Sequence, residues 1–146
     1  MRDRKKDRYA ERKWVVYEIP GMCKQILKKL MEERDLETAL FLRILMETGI
    51  HPEDIWLMRE SGIKGREIRL STLKEGREYR DLHGRYPKIS KRTAQMAEIV
   101  FRYGLYFEKP YIYYSLKIKR SCEDPRFQIH LVRVYHQHIQ FLRGQM

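Results

Sequence analysis

Nine basic residues between positions 66 and 92 are the groups in this sequence best suited to bind phosphate. Arginine grips phosphate oxygens with two parallel N–H groups, and lysine binds them as a point charge. We therefore predict that these residues contact the phosphates of a nucleic acid, although a charge run more often forms an ordinary solvated face. The nine residues are Arg66, Arg69, Lys74, Arg77, Arg80, Arg85, Lys88, Lys91 and Arg92.

A second group of polar residues lies near the end of the chain, in IHLVRVYHQHI. His130 and Arg133 are three residues apart, so they share one helical face and can point at one phosphate; an ordinary polar helix face is the alternative. His136 and His138 are two residues apart and fall on different sides of a helix. These histidines therefore lack the spacing of a metal site, and we predict neither a metal nor a cofactor.

The overall charge predicts a polyanionic partner. The chain has 146 residues, with 31 Lys plus Arg against 20 Asp plus Glu, a net charge of +11 and a pI near 9.7. Nucleic acid is the commonest partner of such a surface, and duplex DNA is the form we expect. A hydrophobic content of 42% is enough for one ordinary core, so residues 1–146 are predicted to form a single domain.

Several classes of protein are not expected. No run approaches the roughly 18 apolar residues needed to cross a bilayer, and the charged start MRDRKKDRYAERK has no apolar stretch behind it. We therefore expect a cytoplasmic, nucleoid-associated protein with no membrane partner. Cys23 and Cys122 have no disulfide or zinc spacing. The absence of Asn and a charged fraction of 35% indicate a hot environment.

The first half of the chain is predicted to be helical. Residues 1–13 are almost wholly charged and should form a basic arm or the exposed start of a helix, ahead of a globular core over 14–146. Pro20-Gly21 should break the chain before a short amphipathic helix. The apolar stretch from Leu36 to Glu47 predicts the central buried helix, which Gly49 ends. Pro52 should open the next helix.

The second half mixes hairpin and helix patterns. From Ile63 the hydrophobic period becomes two, which predicts a β-hairpin whose turn is Glu75-Gly76 and whose tip carries Lys74. Ser90 should cap a helix that ends at Gly104. Residues 111–118 alternate weakly and should be strand or irregular, whereas 127–142 should be helical. The predicted fold is mainly α with a small antiparallel hairpin or three-stranded sheet, an α+β class.

The order of these motifs resembles the catalytic domain of the tyrosine recombinases, the phage-integrase family of DNA breaking and rejoining enzymes, over about residues 36–142. In that family a buried helix ends in Thr-Gly, a Glu opens the next helix, a Lys lies on a hairpin, and His-x-x-Arg begins a later helix. The positions that match are Thr48, Gly49, Ile50, Glu53, Lys74, His130 and Arg133.

The resemblance implies an integrase-like core with a phosphate pocket formed by His51, Lys74, His130 and Arg133. In this chemistry guanidinium groups stabilise the charge on the attacked phosphodiester, and a Lys or His protonates the leaving oxygen. His51 stands where the family has its first catalytic Arg, and it offers no two-pronged grip. Lys74 has a solvated turn lysine as its alternative, and His51 a plain helix-entry residue.

The family's nucleophilic tyrosine has no match, since the sequence stops thirteen residues after Arg133. Tyr135 cannot replace it, because two residues along a helix turn the side chain by about 200°. We leave catalytic activity open and lean against autonomous strand exchange. The resemblance implies a DNA-binding protein linked to a mobile element. An active or trans-complemented integrase fragment is the alternative, and a homo-oligomer is compatible with either.

A tyrosine-rich segment suggests a different class of function. Its tyrosines alternate with basic residues, and aromatic rings among cations can stack on unpaired bases, as in an RNA-binding module. Packing of these rings against the core is the interpretation we favour. The residues are Tyr103, Tyr106, Tyr111, Tyr113 and Tyr114, with Lys109, Lys117, Lys119 and Arg120.

Overall fold

The computed structural model describes residues 4–72, 74–81, 83–105 and 107–144, with side chains described from 13 to 142 within those ranges. The described chain is mainly helical and has a small antiparallel sheet, as an α+β chain should. Its elements are α1 (Arg4–Glu32), α2 (Leu36–Thr48), α3 (Pro52–Trp56), a 3-10 turn (Glu60–Gly62), β1 (Ile63–Lys64), β2 (Glu67–Ile68), α4 (Lys91–Arg102), α5 (Tyr111–Arg120) and α6 (Ile129–Gly144).

Helix α2 is the central element, as predicted, and packs against all five other helices. Asp35 begins it, because its carboxylate accepts a hydrogen bond from the backbone N–H of Thr38 at 3.1 Å. Gly49 ends it in the left-handed conformation, with φ of 67°. Most of the residues between are fully buried. Asp35 before the helix and Gly49 after it therefore set its boundaries.

The predicted break at Pro20-Gly21 is wrong, because α1 continues through Pro20. The residues buried on α1 lie on one stripe that extends to both sides of the proline. Burying this stripe against α2 and α6 outweighs the backbone hydrogen bond that the proline removes. The buried residues of the stripe are Val15, Ile19, Met22, Cys23, Ile26 and Leu30.

The regular sheet has two short strands, and both lie within the predicted first strand of the hairpin, which is therefore not one continuous strand. In β1 and β2, Ile63 pairs with Ile68 and Lys64 with Glu67.

The predicted hairpin around Glu75-Gly76 is present only as an isolated antiparallel bridge between Ser71 and Glu78. Its turn is held by the N–H of residue 72, which donates to the carbonyl of residue 77 at 2.7 Å. A second isolated bridge joins Glu67 to residue 88.

The prediction for residues 111–118 is also wrong, since they belong to helix α5. Tyr114 and Ile118 are four residues apart and fully buried, so one helical face packs on the core. The Tyr114 ring stacks on Phe41 with centroids 5.5 Å apart, and Phe107 meets both rings edge-on. The two remaining helices follow the sequence: Ser90 caps α4, and α6 covers most of 127–142.

No helix among the described residues is both long enough and apolar enough to span a bilayer.

Candidate nucleic-acid interface

The chain from residue 63 to residue 92, here called the basic segment, carries much of the protein's charge. It holds ten basic residues against four acidic ones, a net +6 of the whole chain's +11. All nine predicted phosphate contacts are exposed to solvent: Arg66, Arg69, Lys74, Arg77, Arg80, Arg85, Lys88, Lys91 and Arg92. The basic segment therefore presents a positive surface rather than a set of buried ion pairs.

The backbone of the basic segment is folded against itself. The N–H of Ile68 donates to the carbonyl of Pro87 at 2.8 Å, and the N–H of Ile89 donates to the carbonyl of Arg66 at 2.8 Å. The Arg66 side chain adds a bond from its Nε to the Ile89 carbonyl at 2.9 Å. Residues 66–68 and 87–89 thus lie side by side, and cations distant in sequence share one surface.

Two arginines of the basic segment lie over the ring of Tyr86. The guanidinium carbon of Arg80 is 3.7 Å from the ring centroid, and that of Arg69 is 4.9 Å from it. Such contacts hold the guanidinium planes in place while leaving their edges available to hydrogen-bond acceptors.

Some of these cations already have acidic neighbours. Arg69 pairs with Glu67 at 3.5 Å and Arg80 with Glu78 at 2.6 Å. Exposed pairs of this kind contribute only about 0–1 kcal/mol, so a phosphate can replace the carboxylate at little cost. Within the described part of the chain, five of the nine have neither an ion pair nor a side-chain hydrogen bond: Lys74, Arg77, Lys88, Lys91 and Arg92.

A cleft of about 420 Å³ lies beside the basic segment. Three parts of the chain line it and are named here the α6 wall, the loop wall (residues between Tyr79 and Lys88) and the floor (the end of α2). The cationic groups that line it are Arg80, Arg85, Lys88 and Arg133. The other lining residues are Glu47, Thr48, Gly49, Tyr79, Asp81, Tyr86, Pro87, His136, Gln137 and Gln140.

The cleft wall formed by α6 is a polar stripe. Arg133, His136, Gln137 and Gln140 follow the spacing i, i+3, i+4 and i+7, which places them on one face of a helix. This spacing is the one that a helix uses to bury apolar residues, yet all four side chains are polar. The neighbouring face, which includes Val132, packs on the core. Helix α6 therefore uses two faces, one for the core and one for the cleft.

Arg133 is fixed to the floor of the cleft. Its Nε donates a hydrogen bond to the carbonyl oxygen of Gly49 at 3.1 Å. Only Nε is used, and no other hydrogen bond or ion pair of its guanidinium is found among the described residues. The terminal nitrogens can therefore bind a ligand bidentately. Gly49 must be glycine here, because an added Cβ would lie 2.6 Å from Cγ of His136.

His51 lies two residues beyond that floor, and its ring serves as a helix cap. Its Nδ1 accepts a hydrogen bond from the backbone N–H of Glu53 at 3.3 Å, which assigns the proton of the neutral ring to Nε2. The backbone N–H of His51 donates to the hydroxyl of Tyr79 at 3.3 Å. The His51 side chain, which the resemblance aligned with a catalytic Arg, thus stabilises the start of α3.

Tyr79 connects the cleft to α3. Its hydroxyl donates to the buried carboxylate of Asp54, while its ring lines the cleft. Burial and the Asp54 hydrogen bond raise the pKa of Tyr79 to about 12, against the smaller opposing effects of the His51 N–H and of Arg133. Tyr79 therefore stays a neutral phenol at physiological pH.

Glu47 is an acidic residue of the cleft, and its carboxylate already has hydrogen-bond partners within the protein. Its carboxylate accepts hydrogen bonds from the N–H of Ser90 and the hydroxyl of Thr93 at the start of α4. Arg43 lies 3.8 Å from the same carboxylate and donates its Nε to Thr93 at 2.9 Å. The N-terminus of α4 is thus occupied by a protein carboxylate.

The four residues of the pocket implied by resemblance do not all meet in the cleft. Arg133 lines it, and His51 is joined to it through Tyr79. His130 is exposed one turn before Arg133, and Lys74 is exposed in the turn of the basic segment. Among the described residues, neither His130 nor Lys74 lines the cleft. The cations that do join Arg133 are Arg80, Arg85 and Lys88.

Several cleft residues escaped the sequence interpretation. Gln137 and Gln140 carry no charge and were not among the candidates, and neither were Tyr79 and Tyr86. A polar stripe starting from Arg133 at helical spacing was the available signal for the glutamines and His136. Tyr79 and Tyr86 had no such signal, because their approach to α6 depends on how the chain folds over long range.

Much of the tyrosine-rich segment packs against the core, which is the interpretation favoured above. Tyr114 is fully buried, and its hydroxyl donates to Glu37 at 2.5 Å. Tyr113 lies under the ammonium group of Lys109, whose Nζ is 4.2 Å from the ring centroid. Tyr103 is 75% exposed. Tyr106 lies outside the described residues.

No protein-family model, curated protein or solved structure matches the chain. In the part of the chain that the structure describes, no group of three or more His, Cys, Asp or Glu side chains could hold a metal ion.

Proposed function

We propose that the protein binds duplex DNA through its basic segment and the adjoining cleft. The observation that carries this proposal is the concentration of exposed cations, a net +6 within residues 63–92, beside a cleft lined by four cationic side chains. The phosphates of a nucleic acid form a dense and regular array of negative charge that matches such a surface. Arg80, Arg85 and Lys88 belong to both the basic segment and the cleft, so the two form one surface.

The proposal extends to a tyrosine-recombinase-like core that has lost autonomous strand exchange and derives from a mobile element. Its support is the motif order together with Arg133 standing against Gly49, beside the Thr-Gly turn. Two features argue against catalysis by this chain alone. The His51 ring caps α3, and the Tyr79 hydroxyl donates its proton in a hydrogen bond to Asp54. A nucleophilic tyrosine has to lose that proton.

A salt series tests duplex binding directly. We expect the logarithm of the affinity for a blunt duplex to fall linearly with the logarithm of the salt concentration, with a slope near −0.9 for each phosphate neutralised. Affinity that does not respond to salt, or no binding at all, would overturn the proposal. Competition by single-stranded RNA separates the RNA-binding alternative, because stacking on tyrosines requires unpaired bases.

A further inference from the structure

We propose that the cleft binds a single unpaired nucleotide of the DNA, with its phosphate on the cations and its base against the glutamines of α6. This inference deepens the proposed function and rests on it. It concerns which part of a DNA molecule enters the cleft, whereas the proposed function concerns binding of the paired duplex.

The size of the cleft favours more than a phosphate ion. Its volume of about 420 Å³ falls within the range of roughly 300–1,000 Å³ that small-molecule sites occupy. A backbone phosphate of intact duplex can bind the cations of the cleft but leaves the glutamines of α6 without a ligand. A nucleotide unit carries both a phosphate and a flat polar base, so it can reach both walls.

The side chains that line the cleft supply two kinds of chemistry. Arg133 is anchored through Nε, and its terminal nitrogens remain for phosphate oxygens. Lys88 adds a positive charge from the loop wall. On α6, Gln137 and Gln140 each offer an amide that both donates and accepts hydrogen bonds. A base edge also displays both donors and acceptors, and glutamine is a side chain that pairs with such edges.

The acidic groups of the cleft do not oppose this arrangement. The Glu47 carboxylate is bound by Ser90 and Thr93. Asp81 accepts the N–H of Arg85 at 2.9 Å and pairs with its side chain at 3.4 Å. These bonds lower the pKa of Asp81, which therefore remains an ion paired within the protein. Both carboxylates thus have partners within the protein before a phosphate arrives.

The base must be unpaired, because the edges that glutamine amides would contact are occupied or confined to a groove in intact duplex. Taking a paired base out of the stack costs a few kcal/mol, whereas a base that is already extrahelical avoids this cost. We therefore expect the cleft to distinguish duplexes that contain an unpaired nucleotide from blunt ones with the same number of phosphates.

Three duplexes of equal length test the inference by fluorescence anisotropy. One is fully paired, one carries a single bulged adenine, and one carries an abasic residue at the bulge. We expect the bulged adenine to bind about tenfold more tightly than the abasic bulge, since a good base contact is worth about 1–3 kcal/mol. Equal affinity for the two bulged duplexes would overturn the inference.

A double variant assigns the effect to the cleft. In the double variant Gln137→Ala and Gln140→Ala, the bulged adenine and the abasic bulge should bind with equal affinity. The control Gln95→Ala, on an exposed position of α4, should keep the preference. A preference that survives the double variant would contradict the inference.

The same assay separates this inference from the proposed function. Paired-duplex binding that responds to salt, without any base preference, supports the basic segment and refutes the cleft. A preference that depends on the glutamines, without salt-dependent binding of paired duplex, refutes duplex binding by the basic segment and supports the cleft.

Discussion

Arg133 Nε and the carbonyl oxygen of Gly49 are 3.1 Å apart, so the helix that carries the cleft's polar stripe is joined to the last turn of the central helix. This bond fixes the guanidinium at the floor of the cleft. It also explains how residues 84 positions apart act in one site.

Arg133→Ala should weaken duplex binding by about ten- to a hundredfold, because it removes a charge-assisted contact worth about 1.5–3 kcal/mol. Arg133→Lys keeps the charge but loses the Nε bond and the bidentate grip, so it should recover only part of the affinity. Anisotropy titrations at fixed salt, with circular dichroism as the check on folding, measure both. Wild-type affinity in Arg133→Ala would refute a role for this residue in binding.

Gly49→Ala should lower the free energy of unfolding by about 2–4 kcal/mol, since it combines a left-handed backbone with overlap of the His136 ring. Gly76→Ala is the matched control. It has a φ of 66°, nearly that of Gly49, but nothing lies within 4 Å of the added Cβ, so stability should fall by only about 1 kcal/mol. Urea denaturation gives both values, and equal losses of stability would contradict the close approach of α6 to Gly49.

Tyr79→Phe removes the hydroxyl and should lower the free energy of unfolding by about 1–3 kcal/mol, because the buried Asp54 loses a hydrogen-bond donor. Tyr103→Phe changes a ring that is 75% exposed and should leave stability unaltered. Thermal denaturation of the two variants side by side provides the comparison. A Tyr79→Phe protein as stable as Tyr103→Phe would show that the hydrogen bond between Tyr79 and Asp54 does not contribute to stability.

Stability should also depend on pH through Tyr79. The folded-state pKa of about 12 lies above the ordinary value of 10, so the neutral phenol is favoured by folding. Its contribution is complete below pH 10 and disappears as the pH rises toward 12. Denaturation midpoints measured across this window should decline more steeply for the wild type than for Tyr79→Phe. Identical slopes would rule out Tyr79 as a source of the decline.

A nicked suicide duplex should not become covalently attached to this chain. The hydroxyl of Tyr79, a tyrosine that lines the cleft, donates its proton in a hydrogen bond to Asp54 and is not available as a nucleophile. Denaturing gel electrophoresis after incubation checks for a 3′-phosphotyrosyl adduct. Appearance of an adduct would support the alternative of an active integrase fragment, and absence of that adduct in Tyr79→Phe would identify the nucleophile.

The helices that the sequence predicts well are those with local boundary residues. Gly49 and Ser90 mark the end of α2 and the start of α4, because their backbone and side-chain preferences act within one turn. Helix α5 was missed, since burial of Tyr114 against Phe41 decides its structure and lies far away in sequence. The break predicted at Pro20 was wrong for the same reason, because packing of the residues on both sides of the proline maintains α1.

The candidate site was predictable only in part. Cations are visible in any sequence, so the basic segment and Arg133 could be identified before the fold was known. The cleft depends on the loop from Tyr79 to Lys88 folding toward α6, and no local pattern specifies that approach. The uncharged Gln137 and Gln140 become candidates only once both walls are in place.

The most direct test of duplex binding compares two variants of equal charge in the salt series. One carries alanine at four exposed positions of the basic segment that have no described ion pair: Arg77, Lys88, Lys91 and Arg92. The other carries alanine at four exposed positions of α1 and α5: Lys24, Lys28, Lys29 and Arg120. Each variant removes four positive charges from the net +11.

We predict that the first variant binds blunt duplex more weakly and has a shallower salt slope, by about 0.9 for each phosphate that the variant no longer neutralises. The second should retain nearly the wild-type slope. Equal weakening in both would show that net charge alone attracts DNA, and an unchanged slope in the first would contradict the basic segment as the DNA-binding surface.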